Sequence, residues 1–534
     1  MKKKLVVFLA LVLCAGLLYA RGNADQGASG TTFTVALSED IRAVDPGLAW
    51  NYVTNQVVNQ ITEGLVSLDA NNNIIPELAR SWRQTDDLTY VYEVRDDVVF
   101  SDGTKMTMED VLFSFNRTKD PGGGTYFSDF YKDVVSFTAT GPWQLTIKLS
   151  QPSAVFKYFP TTAAGRIISK AYYEKHTVDF GTAQGGIIAT GPFVYQRWTS
   201  GQEIVLKKNT NYWNKEKLAA NIIDTIVFKI IPEDTTRVIA LETGSVDFSA
   251  NLPIDMLDRL AASRDLNLTS VDTYSITYLA MNTQRAPFND VNVRRAVSHA
   301  LNLPEFQRTI IKNAGIVGTV LPFGPALYGE NAAKWRQYLT TAPKYDYDLA
   351  KARQHLAQSG YPNGFTCDVI ISESSLASQR ALFLQESLKP LNINVEIRKM
   401  SGDEQDTYQM GEILDSSGKR DYDMLFGGWE ADYPDLNGNI EIMYAASQVE
   451  GGYNAAAYVN PAVERLIDAQ RSATDPARRF ELQAQAMNTI IDEAPYIVFD
   501  YSLRQSALNK KYTGLAVSPA WLWVLPIQNV RRAN

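Results

Sequence analysis

The stretch Gly427-Gly428-Trp429-Glu430-Ala431-Asp432-Tyr433-Pro434-Asp435 brings together the residue types that a binding edge requires. Paired glycines let another backbone approach closely, Trp429 follows with a flat amphipathic face, and the Asp432 carboxylate comes three residues later. Pro434 interrupts regular strand pairing. An extended ligand lying along such an edge would find its main-chain groups met by exposed amides and carbonyls, a mode of recognition that tolerates varied side chains.

Motifs for other chemistries are missing. His176, His299 and His355 are widely separated and form no metal-binding HExxH pair. Gly418-Lys419-Arg420 lacks the hydroxyl residue and upstream glycine of a phosphate loop, and Asp120-Pro121-Gly122-Gly123-Gly124 lacks the further spaced glycine of a dinucleotide fingerprint. No GxSxG elbow occurs. A glycosidase-like pair among the 59 acidic residues would meet in space rather than in sequence, so only a hydrolysis assay tests it. The reading is therefore a protein that is not an enzyme, with no cofactor and no metal site.

The elements around these residues read as α/β. Phe33 to Leu37 has a strand pattern, and Tyr52 to Ile61 places apolar residues at helical spacing. From 67 to 184 short strands dominate, among them Tyr90 to Val94 and Trp143 to Leu149, which points to a separate α+β subdomain. Pro232 to Leu241 reads as a helix stopped by Gly244, followed by a strand at Val246-Asp247-Phe248. Asp290 and Asp348 cap two further helices. Strand 365–372, a helix from about 378 to 390 and strand Ile393 to Ile397 form a βαβ crossover, the unit of parallel sheets. Tyr422 to Phe426 adds a strand expected to end at Gly427-Gly428.

The 534 residues are 45% hydrophobic and 21% charged, enough for two or three domains, and the net charge of −8 argues against nucleic acid and anionic membrane surfaces as partners. Residues 1–24 read as a signal peptide: Lys2-Lys3-Lys4, an apolar run from Leu5 to Tyr19, then small and polar residues, with cleavage after Ala20 or Ala24. Cys14 is either a lipidation site that anchors the protein or a cysteine inside the apolar run. Once that segment is removed Cys367 is the sole cysteine, so no internal disulfide forms and stability comes from core burial. Its strand-like surroundings predict a buried, inert thiol.

In these motifs the chain resembles the peptide/oligopeptide/nickel class of extracytoplasmic solute-binding proteins that serve ABC importers (family 5 type). The resemblance runs from about residue 32 to the C-terminus. It rests on Val44-Asp45-Pro46, Glu63-Gly64-Leu65, Phe100-Ser101-Asp102-Gly103 with Glu109-Asp110-Val111, Thr190-Gly191-Pro192-Phe193, Asn211-Tyr212-Trp213, Leu241 to Asp247, Asn282 to Asn302 and the stretch containing Asp432. It implies a two-lobed clamp of the type II periplasmic-binding-protein kind, closing by hinge motion around a ligand. Lobe I would be 32–66, 185–285 and 505–534, the additional α+β subdomain 67–184, and lobe II 286–504.

The implied protein is a monomeric, periplasmic or otherwise extracytoplasmic receptor that captures a peptide or other small solute and delivers it to membrane permease subunits. An oligosaccharide, a nickel chelate, or a chaperone or adhesin role on the same fold are the alternatives. In peptide-binding members the carboxylate falling on Asp432 pairs with the ligand's amino terminus; the bland alternative makes Asp432 and Asp435 ordinary turn residues. Gly428, Trp429, Glu430 and Ala431 would line the same site, and Asp40, Ile41, Arg42 and Asn251 the opposite side. Dipeptide receptors meet the ligand carboxylate with an arginine after strand 365–372, where this chain has Ser372-Glu373-Ser374-Ser375. Arg380, Arg398, Arg420 or Arg42 are its possible substitutes, or a longer ligand leaves its carboxylate elsewhere.

Overall fold

The computed structural model describes residues 30–533 apart from 251, 313, 523 and 524. The segment read as a signal peptide, Cys14 included, lies outside the described residues. Among the described residues no helix is long and apolar enough to cross a membrane.

Two strands organise the molecule. Leu266–Met281 and Tyr496–Asn509 run antiparallel at the centre of an eleven-stranded sheet. Beyond Tyr496–Asn509 come Phe248–Ala250, Thr31–Leu37, Ile223–Ile230, Glu203–Lys208 and Phe193–Thr199. Beyond Leu266–Met281 come Met424–Glu430, Phe365–Ser372 and Ile393–Met400. Each half of the sheet uses a different portion of the central pair. Phe248–Ala250 pairs with Ser506 to Leu508, whereas Met424–Glu430 pairs with Ser275 to Met281. Between these portions the register of the central pair slips, from Asp272 opposite Leu503 to Ile276 opposite Tyr501. Both long strands thus cross from one half of the fold to the other, and the longer of their two irregular stretches lies at the crossing, the second following at Thr277 and Tyr278.

Capping side chains open the helices, two of them, Asp290 and Asp348, as the sequence predicts. Asn51 accepts from the Thr54 amide at 2.9 Å and opens Tyr52–Ile61. Asp290 accepts from Asn292 at the start of Val291–Ala300, and Asp348 from Ala350 and Lys351 at the start of Leu349–Gln358. The predicted crossover is present: Phe365–Ser372 and Ile393–Met400 are parallel with Phe365 opposite Ile393, joined by the helix Ser375–Leu388. Cys367 is buried at 3% exposure and burial pushes its thiol up, as an inert thiol requires. Two expectations need correction. The strand expected at 246–248 is Phe248–Ala250, and Asp247 stands just before it, donating its amide to the Thr34 carbonyl and accepting the Thr34 amide through its carboxylate. The strand predicted to end at Gly427-Gly428 continues to Glu430, because Leu266–Met281 supplies a partner for every residue of Met424–Glu430.

A separate four-stranded antiparallel sheet, in the order Ala79–Asp86, Thr89–Val94, Gln144–Leu149, Val134–Gly141, packs on the helix Met108–Lys119. Its core is aromatic, with Tyr90, Tyr92, Phe115, Tyr131 and Phe156 buried. Glu63 joins segments that are far apart in sequence: it is buried and accepts from the Tyr212 hydroxyl at 2.7 Å and the Trp213 indole at 2.8 Å. Burial, and then the field of Glu77, push its carboxyl up to about 7.

Folded Glu63 therefore keeps its proton well above pH 4.5, where an unfolded glutamate loses it, so this residue makes stability fall as pH rises from 4.5 to about 7. In thermal melts, Glu63→Gln should flatten that decline. Glu63→Ala should cost about 2–4 kcal/mol by stranding two buried donors. A melt series with the same pH slope in Glu63→Gln as in the parent would refute this account.

Candidate functional site

A cleft of about 1120 Å³ lies between the two halves of the sheet, lined by residues of both. Its floor includes Ser275 and Thr277 of one central strand and Asp500, Ser502 and Arg504 of the other. Met424–Glu430 forms one wall. A Cβ on Gly427 would meet the Tyr278 ring and the Gln409 side chain at 2.9 Å, so packing alone requires glycine there. Gly428 is exposed and borders the cleft, with only the Ile276 carbonyl near its missing Cβ, at 3.2 Å.

The outer edge of this wall is already partly paired. Gln405 donates to the Phe426 carbonyl, and Gln409 donates to the Gly428 carbonyl at 2.9 Å, both from the helix Gly402–Gln409. These amides stand where an added strand would donate, which corrects the expectation of a continuous open edge at the double glycine.

The carboxylates of the stretch have separate fates. Asp435 accepts from both Arg479 guanidinium nitrogens, at 2.5 and 2.6 Å, and from the Asn437 amide, so it is a structural turn residue. Glu430 meets Arg504 at 3.2 Å through Oε2, while its Oε1 is buried with no hydrogen-bond partner among the described residues. Asp432 borders the cleft and has neither a hydrogen bond nor an ion pair among the described residues. Part of its side chain is reachable from the cavity, yet burial, and then the neighbouring Glu430, push its carboxyl up to about 7. Trp429 has a double role: its indole donates to the Gly438 carbonyl at 2.7 Å, and its ring meets Tyr453 at 4.8 Å along the cleft wall.

The remaining residues singled out from the sequence divide. Arg42 borders the cleft, 5.2 Å above the Trp50 ring and 3.9 Å from Asp403 across the gap. Ala431 does not reach it, being fully buried against Gly438 in the core. Asp40 turns away to accept from the Trp198 indole, the Ser200 hydroxyl and the Gly201 amide, and Ile41 is core at 3% exposure. These three are corrections: their side chains satisfy local packing or hydrogen bonding outside the cavity. Asn251 lies outside the described residues. Of the four arginines named as substitutes, Arg398 pairs with Asp368 and Arg420 is buried among backbone carbonyls, whereas Arg380 and Arg42 border the cleft. Arg380 is paired with Asp500 at 3.0 Å.

Residues 73–451 match the family described as bacterial extracellular solute-binding proteins, family 5 Middle. The chain belongs to this family. Among curated relatives of this solute-binding protein, the glutathione-binding protein GsiB of Escherichia coli (strain K12) is 26% identical over 488 residues, 91% of this chain and 92% of the relative. The fold of the solute-binding protein is shared with the periplasmic binding protein DppA of Helicobacter pylori in complex with the peptide STSA, at a TM-score of 0.80 and 24% identity, covering 94% of this chain and 98% of that one. It is shared too with the oligopeptide-binding protein AppA of Bacillus subtilis in complex with a nonapeptide, at a TM-score of 0.77 and 20% identity, covering 95% and 99%. The mixed α/β, two-lobed clamp expected from the sequence is the fold observed.

Sequence reasoning missed Arg504, Asp500, Tyr453 and Asp406, all at the cleft. Arg504 and Asp500 sit on a strand whose apolar alternation is broken by the polar residues it presents to the cavity. The run Tyr496-Ile497-Val498-Phe499 was the available signal for that strand.

In the ligand-free solute-binding protein, ionised Asp432 is a liability at high pH, because its folded value near 7 exceeds the unfolded 3.8. Asp432→Asn should raise the melting temperature at pH 8, by on the order of 1–3 kcal/mol in stability, and change little near pH 4. A destabilised variant at pH 8 would mean that the carboxylate has a partner in the empty cleft.

Proposed function

We propose that this chain is the receptor of an ABC importer, exported to the outside of the cytoplasmic membrane, and that it captures a peptide by its amino terminus and delivers it to the permease. The observation that carries the reading is Asp432, a desolvated carboxylate without a partner among the described residues, at the edge of a large cavity. A ligand ammonium withdrawn from water needs such a counter-charge, since an unpaired buried charge costs several kcal/mol. The peptide complexes of DppA and AppA and the peptide-like ligand in the name of GsiB support the same ligand class. At about 1120 Å³ the cavity exceeds the usual 300–1000 Å³ or so of a small-molecule pocket, which favours a peptide of several residues over a dipeptide.

The two lobes would turn about the irregular stretch between Asp272 and Ile276, where the ladder of the central strands is interrupted and backbone rotation breaks no regular pairing. On this division the cleft lies at the hinge, and closure brings Arg42 of one lobe toward Asp403 of the other. A neutral sugar would leave Asp432 without a counter-charge, which places oligosaccharide second.

Calorimetry on ligand-stripped protein tests the reading. Asp432→Ala should weaken a free-amine peptide by about 30-fold or more, and leave its N-acetylated counterpart, already the poorer ligand, little changed. Affinity for the free amine should also fall as pH drops below about 7, since protonation of Asp432 removes the ion pair. Equal losses for both peptides would take Asp432 out of the amine role.

A further inference from the structure

Asp432 owes its position to its neighbours in the chain. Its own side chain makes no hydrogen bond or ion pair among the described residues, so no polar contact aims it. Ala431, before it, is packed against Gly438 in the core. Tyr433, after it, is buried at 6% exposure, and the rings that bury it come from a distant part of the sequence.

Tyr158 is stacked on the Tyr433 ring, with centroids 6.2 Å apart and planes 10° from parallel. Phe159 and Phe130 meet the same ring edge-on at 5.4 and 6.1 Å, their own centroids 4.6 Å apart. The Tyr433 hydroxyl accepts from the Asn437 side-chain amide at 3.1 Å. Stacked and edge-on contacts are directional, so such a nest fixes the orientation of the ring as well as its place. Tyr433, Tyr158 and Phe159 stand outside the lining of the cleft, where a ligand does not touch them.

The three rings of the nest lie in residues 67–184, the segment that holds the four-stranded sheet. That segment is fastened to the half of the fold that does not carry Asp432. Arg117 pairs with Asp45 at 2.6 Å, and the Ile167 and Ser101 amides donate to the Glu63 and Ala189 carbonyls, each at 2.9 Å. Beside the nest it also reaches the other half, where the Ala154 amide donates to the Arg471 carbonyl at 2.9 Å and Lys132 lies 3.6 Å from Glu441. At the crossing of the central strands the Tyr274 hydroxyl donates to Asn72 at 2.6 Å. The carboxylate and the rings that bracket it thus come from different halves of the molecule.

We infer that Tyr433 is a positioning residue for the amine site, gripped by Phe130, Tyr158 and Phe159 so that the Asp432 carboxylate is held where the ligand's amino terminus reaches it. This deepens the proposed function and rests on it, since it takes Asp432 as the partner of that terminus. Recognition of the amine is then set from outside the cleft, by a segment that supplies the grip and not the charge.

The test uses calorimetry on ligand-stripped protein with trialanine and pentaalanine, each with a free and with an acetylated amino terminus. In the parent the free-amine peptides should bind more tightly. Tyr158→Ala and Phe159→Ala, made separately, should each weaken the free-amine peptides about tenfold, as a misaligned charge-assisted bond would, and leave the acetylated ones little changed. Tyr158→Phe, which keeps the stacked ring, should bind as the parent does. Trp143→Ala removes a ring of the same subdomain that lies over Lys105 instead, and should lower the melting temperature without changing the ratio of the two affinities. In an Asp432→Asn background, Tyr158→Ala should affect free and acetylated peptides equally, because its effect passes through the carboxylate. A preference for the free amine that survives in both alanine variants, or a loss that persists in the Asp432→Asn background, would overturn the positioning role and leave the peptide-receptor reading standing. A parent that binds free and acetylated peptides alike, or neither, would overturn the amine role of Asp432 and this inference with it.

Discussion

A carboxylate held away from water without a counter-charge is the constraint around which the cleft is organised. Elsewhere in the protein, buried acids are satisfied: Asp435 by Arg479, Asp45 by Arg117, Asp500 by Arg380, and Glu63 by two aromatic donors. Asp432 breaks this pattern at the place where both halves of the fold meet a cavity. Desolvation without compensation is unfavourable in the empty state, and that deficit is available to an incoming cation as binding free energy. The walls around it are correspondingly firm: Trp429 is fixed through its indole, Gly427 is wedged against Tyr278, and the sheet edge is held by two glutamine amides.

How much of this the sequence disclosed depended on the length scale of the interaction. Helix caps at Asp290 and Asp348 and the crossover from Phe365 to Met400 rest on neighbours in sequence, and they were readable from residue type and spacing. The central strands Leu266–Met281 and Tyr496–Asn509 were not. They pair across more than two hundred residues, and the polar side chains that line the cavity erase the alternation by which a strand is recognised.

The site was legible to a similar degree. Asp432, Trp429, Gly428, Glu430 and Arg42 border the cleft, and all but Arg42 lie on one continuous stretch around the end of a strand. Ala431 misses it because, just past the end of Met424–Glu430, its methyl group packs against Gly438 in the core. Asp40 and Ile41 miss it because the turn at Ser200-Gly201 and an apolar core claim them, contacts that no local pattern announces. Arg504 and Asp406 are brought in by tertiary folding alone.

The sharing of two strands between both halves also governs how the molecule comes apart. Neither half owns a complete set of hydrogen-bonding partners: severed from the other, each would expose raw backbone along Leu266–Met281 and Tyr496–Asn509, a template for intermolecular association. The two halves are therefore tied to one another by backbone pairing as well as by the cleft they enclose.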